Sequence, residues 1–221
     1  MTKPLILIPV YEGATSVAEV VRGARVSGCS VLVIDDGSSD GSGRAAEAAG
    51  AAVLRHPSNR GKGAALATGF AYAARTQTSG VLTLDADLQH DPAEIPLLLA
   101  AHHQNPEALV VGIRNFAEMP RRSQVGNRIS TWWISRFSGR PVGDSQSGFR
   151  VYPRALFAGR PLRTRRFDSE TELILRAAKL NLPLIEVPIR TVYQNGQRTH
   201  FHNWQDSLRI LKLVVTSPWW E

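Results

Sequence analysis

Residues 30–40 read Ser-Val-Leu-Val-Ile-Asp-Asp-Gly-Ser-Ser-Asp. A β-branched apolar run breaks off in a cluster of acids and turn formers. Such a run, bounded by turn residues, predicts a buried strand over Ser30–Ile34 with its polar loop at the carboxyl end. Residues 81–89, Val-Leu-Thr-Leu-Asp-Ala-Asp-Leu-Gln, repeat the arrangement: strand Val81–Leu84, then Asp85-Ala86-Asp87-Leu88-Gln89. Apolar Leu5–Val10 supplies a third strand, and it ends in Pro9-Val10-Tyr11-Glu12.

Helical stretches separate these strands. Thr15–Val26, the Ala-rich Gly61–Arg75, and Ala93–Gln104 opened by Asp91-Pro92 all read as helices, and Ala52–Arg55 and Ala108–Gly112 read as further strands. Strands alternating with helices predict parallel βαβ units, hence an α/β, Rossmann-like three-layer sandwich around a mostly parallel sheet. The pattern changes after Gly112. There Arg121–Ser138 reads as an amphipathic helix carrying Trp132, Trp133 and Phe137. Ser147–Tyr152 reads as extended, Thr171–Leu180 as helix, Leu184–Thr191 as strand and Asn203–Val215 as a last helix. No repeat or low-complexity linker interrupts the chain. A single domain over 1–221 is expected, with one half at 1–112 and a second at 113–221.

Composition sets the outer limits. The chain has 221 residues, 43% hydrophobic and 20% charged, an ordinary globular balance with enough length for a substantial core. One cysteine, Cys29, excludes a disulfide framework within the chain and fits a reducing compartment. The apolar run in MTKPLILIPVYEG is too short and poorly flanked for a secretion signal, and no uninterrupted run reaches the length of a membrane span. A soluble or peripheral cytoplasmic protein is expected. Net charge is +7, and basic residues are dense from Arg114 to Arg166, which suits phosphate-rich ligands or an anionic surface.

In a doubly wound sheet, ligands collect beyond the carboxyl ends of the strands. The three polar strand ends would therefore converge. Asp85 and Asp87, at alternate positions, can grip one hard divalent cation and the diphosphate it bridges, with Gln89 adding a neutral oxygen. The alternative is a pair of turn acids. Asp35 and Asp36 can accept hydrogen bonds from a base or a ribose, while Ser38, Ser39 or Asp40 caps the helix that follows. Asn59-Arg60-Gly61-Lys62-Gly63 opens a helix, where Lys62 and exposed amides could receive phosphate. It lacks P-loop spacing, and no Gly-x-Gly-x-x-Gly follows the first strand.

Taken in order, Pro9-Val10-Tyr11, residues 35–40, Asn59–Ala65, Asp85–His90 and Asp144-Ser145-Gln146-Ser147-Gly148-Phe149-Arg150 resemble the family 2 glycosyltransferases. They are most similar to the polyprenyl-phosphate branch typified by dolichyl-phosphate mannosyltransferase. The resemblance implies a GT-A fold, a nucleoside-diphosphate sugar donor, Mg²⁺ or Mn²⁺, and inversion at the anomeric carbon. It implies that Pro9, Tyr11, Asp35 and Asp36 line the nucleoside pocket, while Asp85, Ala86, Asp87 and Gln89 hold donor and metal. One departure is visible: the family usually has Asn-Glu after this Tyr, whereas Glu12-Gly13 follows Tyr11, displacing the carboxylate by one position.

The acceptor half separates two chemistries. An alcohol must lose a proton as it attacks and needs a positioned base. A phosphate oxygen is already anionic and needs cations to hold it. The 143–150 segment looks like the phosphate-acceptor branch. Arg114, Arg121, Arg122, Arg128 and Arg150 surround it, and Arg198 lies where the branch places a basic phosphate contact. Arg121, Arg150 and Arg198 are the expected acceptor-phosphate or leaving-group contacts, and His200 a donor-phosphate contact. Asp144 reads as a base or as an organiser of Gln146 and Arg150. Glu170 and Glu172 read as a second source of a base or as helix-dipole acids.

Three functions follow from this reading. The first is hexose transfer to a polyprenyl phosphate or other lipid-linked acceptor. The second is transfer to a hydroxyl with Asp144 or Glu170 as base. The third is a non-catalytic nucleotide-sugar-binding module. No recognised nucleic-acid motif is present, so no nucleic-acid partner is expected. The 121–138 helix reads as core or as a membrane-surface helix, and Trp219-Trp220 as an interfacial anchor or a docking element. Relatives often continue into membrane helices, so attachment here is expected to be peripheral or through a membrane subunit.

Overall fold

The computed structural model describes residues 2–115, 121–159, 161–164 and 168–190, with the backbone alone at 121–123, 125 and 126. The predicted helix Asn203–Val215, Arg198, His200 and Trp219-Trp220 lie outside the described residues.

The first half alternates as its periodicity requires. It runs β1 (Leu5–Val10), α1 (Val17–Arg25), β2 (Val31–Asp35), α2 (Ser42–Ala48), β3 (Ala52–Arg55), α3 (Lys62–Ala74), β4 (Gly80–Thr83), α4 (Ile95–Gln104) and β5 (Leu109–Arg114). The second half adds α5 (Arg121–Ser138), β6 (Arg150–Pro153), α6 (Arg154–Phe157), α7 (Ser169–Lys179) and β7 (Leu184–Ile189). The strands form one sheet in the order β3-β2-β1-β4-β6-β5-β7.

β1 is apolar at every position because both faces of a parallel sheet are covered. Its side chains alternate between two cores. Leu5 and Leu7 join a cluster with α3, α6 and α7, through Leu66, Phe70, Leu156 and Leu173. Ile6, Ile8 and Val10 join the other, with Val20 and Val21 of α1 and Ile95 and Leu98 of α4. Helices therefore cover both faces, giving three layers.

β1 to β4 are mutually parallel, and β7 runs parallel to β5. β6 is the exception. It enters between β4 and β5 and is antiparallel to both. Thr83 pairs with Arg150, so β6 begins where β4 ends. That reversal delivers residues 144–149 to the edge where the acidic loop of β4 emerges, and Thr83 Oγ1 fastens the junction by donating to the Gly148 carbonyl at 2.6 Å.

Candidate active site

Two acidic strand ends and one loop from the second half make up this edge of the sheet. At the end of β2, Asp36 is buried and densely engaged. Its Oδ1 meets His56 Nδ1 at 2.6 Å, and its carboxylate accepts the Arg60 amide at 3.0 and 3.1 Å and the Gly61 amide at 2.7 Å. Asp35 Oδ1 accepts the Ser38 amide at 2.9 Å. Gly37 is obligatory between them: its φ is +78°, and a Cβ there would meet the Ser58 backbone at 2.5 Å. Asp36, expected to contact the nucleoside, has these partners within the protein. Its carboxylate anchors the 56–61 loop, and His56, to which the sequence gave no role, is its partner.

Pro9 is buried in β1, in register with Ile34. Tyr11 follows the strand with 45% of its surface exposed. Glu12 takes a left-handed φ of +51°, and its Oε1 accepts the Ser39 amide at 2.8 Å and the Ser39 hydroxyl at 3.1 Å. The displaced Glu12 carboxylate thus ties the 38–40 turn to β1. Ser16 Oγ donates to the Ala86 carbonyl at 2.6 Å, joining α1 to the β4 loop.

The β4 end is built differently. Asp85 Oδ1 lies 2.6 Å from Lys62 Nζ, and the same ammonium lies 2.7 Å from Glu170 Oε1. The first residue of α3 thus bridges the β4 loop to the N-terminal turn of α7. Burial disfavours the charge on Lys62 and on Asp85, but attraction prevails: Lys62 is pushed above the usual lysine range by Asp85 and Glu170, and Asp85 is held below the usual carboxylate range by Lys62. Lys62, expected to contact phosphate, is the cation between these two carboxylates. Asp87 has the opposite environment. Although its surface is exposed, desolvation by the surrounding loops, and then the adjacent Asp85 charge, raise its carboxyl above the usual range, against the Gln89 amide donated to Oδ1 at 3.0 Å.

The 144–150 loop closes on this pair. A Cβ at Gly148 would lie 2.5 Å from Asp85 Oδ2, so only glycine lets the loop approach so closely. Asp144 is fully buried. Arg114 grips it with two bonds of 2.7 and 3.0 Å, Asn127 Nδ2 donates at 2.9 Å, and the Gln146 and Ser147 amides donate at 3.0 and 3.1 Å. Burial opposes the charge, but these donors, led by Arg114, hold its carboxyl down to about 2. Gln146 Nε2 reaches Ser130 Oγ at 3.2 Å.

Arg150 is also fully buried. It donates to the carbonyls of Ser147 at 2.6 Å, Glu170 at 2.8 Å and Ser145 at 2.7 Å. Arg150, expected to contact the acceptor phosphate, has its guanidinium holding the loop together from beneath. Glu172 is likewise internal, accepting the Arg163 and Thr164 amides and pairing with Arg176 at 2.7 Å. Arg121 stands at the start of α5, where only the backbone is described. Asn127, Ser130 and Thr131 of α5, which sequence reasoning passed over, line the loop's other side. Their spacing at i, i+3 and i+4 was the available signal.

With this geometry in place, comparison with known proteins is decisive at the family level. Residues 5–164 match the family described as glycosyl transferase family 2. An uncharacterised protein of Methanocaldococcus jannaschii is 30% identical over 219 residues, covering 95% of this chain and 90% of its own length. The UDP-N-acetylglucosamine–dolichyl-phosphate N-acetylglucosaminyltransferase of Methanococcus voltae is 27% identical, covering 85% of each chain. An undecaprenyl-phosphate 4-deoxy-4-formamido-L-arabinose transferase of Klebsiella pneumoniae subsp. pneumoniae is 33% identical over 69% of this chain, and the match spans 49% of that enzyme. Among solved structures, glucosyl-3-phosphoglycerate synthase from Mycobacterium tuberculosis bound to UDP superimposes with a TM-score of 0.80 at 19% identity, over 98% of this chain and 80% of that one. The same enzyme has been crystallised with Mn²⁺, UDP and phosphoglyceric acid.

The chain belongs to glycosyl transferase family 2 and has the GT-A architecture. It is a glycosyltransferase whose named relatives transfer sugars to polyprenyl phosphates.

Proposed function

We propose that the protein transfers a hexose from a nucleoside-diphosphate sugar to a polyprenyl phosphate or another lipid-linked phosphate, with inversion at the anomeric carbon. One observation carries the choice of acceptor: both carboxylates that could serve as a base for a hydroxyl are neutralised in buried ion pairs. Asp144 is locked to Arg114 with its carboxyl held at about 2. Glu170 is locked to Lys62. A general base works best with a pKa near the operating pH, and a carboxylate at about 2 is a feeble one. A phosphate monoester brings its own negative oxygen.

In the proposed reaction that oxygen attacks the anomeric carbon from the face opposite the leaving group. The new C–O bond forms as the bond to the donor diphosphate breaks, and the nucleoside diphosphate departs with the electron pair. Lys62 and Glu170 fix the Asp85 carboxylate. Arg150 and Gly148 fix the acceptor loop against it. Asp144 orients Arg114 and the Gln146 amide along the acceptor side.

The residues at the β4 end fit a divalent cation. Asp87 stands exposed beside an ionised Asp85, a like-charge conflict that a cation would relieve, and hard oxygen donors suit Mg²⁺ or Mn²⁺. Among the described residues no group of three or more His, Cys, Asp or Glu forms a cage of its own. Mg²⁺ commonly takes one or two carboxylates and completes its shell with water and substrate phosphate. Asp85 and Asp87, with Gln89 nearby, would hold the ion, and when bound it would supply Lewis-acid stabilisation of the developing diphosphate charge.

No helix of the described residues is long and apolar enough to cross a membrane. A peripheral position on the cytoplasmic face is the placement that fits a lipid-linked acceptor. The test is a panel of nucleoside-diphosphate sugars with Mn²⁺ or Mg²⁺, offered polyprenyl phosphate, the corresponding polyprenol, and free sugars. Transfer to the phosphate alone is expected, with Glu170→Gln retaining turnover within about tenfold. Transfer to the alcohol, abolished in Glu170→Gln or Asp144→Asn, would establish the hydroxyl-acceptor mechanism instead.

A further inference from the structure

Helix α5 has two unlike sides. Its inner side carries Asn127, Ser130, Thr131 and Ile134, and the first three hydrogen-bond the Asp144–Gln146 loop. The outer side is apolar where a surface helix is ordinarily polar. Ile129 is 57% exposed, Trp132 60% and Phe137 39%. Trp132 packs edge-on against Trp133 with ring centroids 4.7 Å apart. Exposed Arg128 and Arg136 flank these side chains. Next to Trp132 the surface dips into a shallow depression lined by Ser135, Arg136, Gly139, Arg140 and Pro141. Over residues 121–140 the chain carries Arg121, Arg122, Arg128, Arg136 and Arg140 and no acidic residue.

We propose that the outer face of α5 is a membrane-surface docking site that seats the protein on anionic lipid. The charge decides the occupant. A run of arginines without a single acid is complementary to phosphate headgroups. Tryptophan and phenylalanine between the arginines match the depth where apolar tails meet headgroups. A protein partner would need an equally unbroken acidic face. The inference rests on the lipid-linked acceptor reading and deepens it. The helix that holds the acceptor loop from within would rest on the bilayer from without, so the acceptor's phosphate would arrive beside the loop without leaving the membrane.

The test is vesicle sedimentation of the full chain, with phosphatidylcholine alone and with phosphatidylglycerol added. The wild type is expected to bind only the anionic vesicles, and less so in high salt. The Ile129→Ser/Trp132→Ser and Arg128→Gln/Arg136→Gln variants should each lose about tenfold in binding. The Ser variant should keep its Tm and its turnover of a short-chain, water-soluble acceptor. Tyr72→Ser, at an exposed aromatic on α3, should bind as wild type. Three outcomes overturn the proposal: no anionic preference, undiminished binding by both double variants, or a Tm loss in the Ser variant, which would mean the face is packed against the protein's own chain. Sedimentation needs no turnover. A protein that binds vesicles but glycosylates no lipid phosphate would sink the acceptor reading and leave the docking face standing.

Discussion

The two acidic strand ends face the same edge of the sheet, yet they are compensated by opposite means. At β2, Asp36 is met by main-chain amides and an imidazole, and Asp35 by an amide. Fixed backbone dipoles hold that end in place whatever is bound. At β4, Asp85 is compensated chiefly by the Lys62 ammonium at 2.6 Å, and Asp87 has its carboxyl raised by desolvation and by its charged neighbour. Most of the first end is satisfied by the protein itself, with the buried Asp35 Oδ2 lacking a hydrogen bond and facing only Arg55 Nε at 3.5 Å. The second places two carboxylates side by side, the pair proposed above to take a divalent cation.

The largest effect is expected at the β4 end. Asp87→Asn should cut transfer by at least about a thousandfold, because the proposed ion loses a ligand. It should also leave Tm unchanged or higher, since a like-charge conflict is removed. Steady-state transfer and a melting curve on the same preparation check both halves. Lower stability with intact turnover would reverse the assignment of the two ends.

Asp36→Ala should behave in the converse way. It removes a buried anion that satisfies two amides and an imidazole, so about 3 kcal/mol of stability should go, or roughly 10 °C in Tm for a chain of this size. Equilibrium unfolding in urea measures it. A purely kinetic defect, with stability intact, would make Asp36 a ligand contact after all.

These contrasts also explain how far the sequence could be read. The succession of strands along the chain and the strand-end acids were legible because each is local: an apolar run, then a turn. The α5 boundaries, Arg121–Ser138, and β3, Ala52–Arg55, fall where their periodicity puts them. What failed to show was everything that depends on pairing across the chain. An extended run such as Arg150–Pro153 does not encode its direction, so the antiparallel β6 was invisible, and with it the approach of Gly148 to Asp85. An arginine in a loop reads as a surface cation. Arg150 is buried only because three carbonyls turn towards it, and carbonyl orientation leaves no trace in sequence. Lys62–Glu170 and Arg114–Asp144 join segments whose proximity only the topology reveals.

Gly148→Ala tests that cross-chain approach. The added Cβ would sit 2.5 Å from Asp85 Oδ2, and Asp85 cannot retreat without leaving Lys62. A displacement of about 1 Å at a catalytic group commonly lowers the rate about a hundredfold. Transfer should fall by that order while urea unfolding changes by only about 1–2 kcal/mol. Unchanged kinetics would mean that the Asp85 position is not critical, and the β4 end would lose its special status.

The smallest effect is expected at Arg55, and it bears on the β2 end. Arg55 Nε lies 3.5 Å from Asp35 Oδ2, close enough to count as an ion pair, yet its side chain is 61% exposed. Water screens such a pair, and its contribution is usually about 1 kcal/mol or less. Asp35 keeps the Ser38 amide whether or not the guanidinium is present. Arg55→Ala should therefore shift Tm by no more than about 4 °C and change donor affinity less than about fivefold. Calorimetric titration with the nucleoside diphosphate, beside a melting curve, reads both. If affinity instead collapsed as steeply as transfer does in Asp87→Asn, the β2 end would also depend on a cation from outside its own backbone, and the division between the two strand ends could not stand.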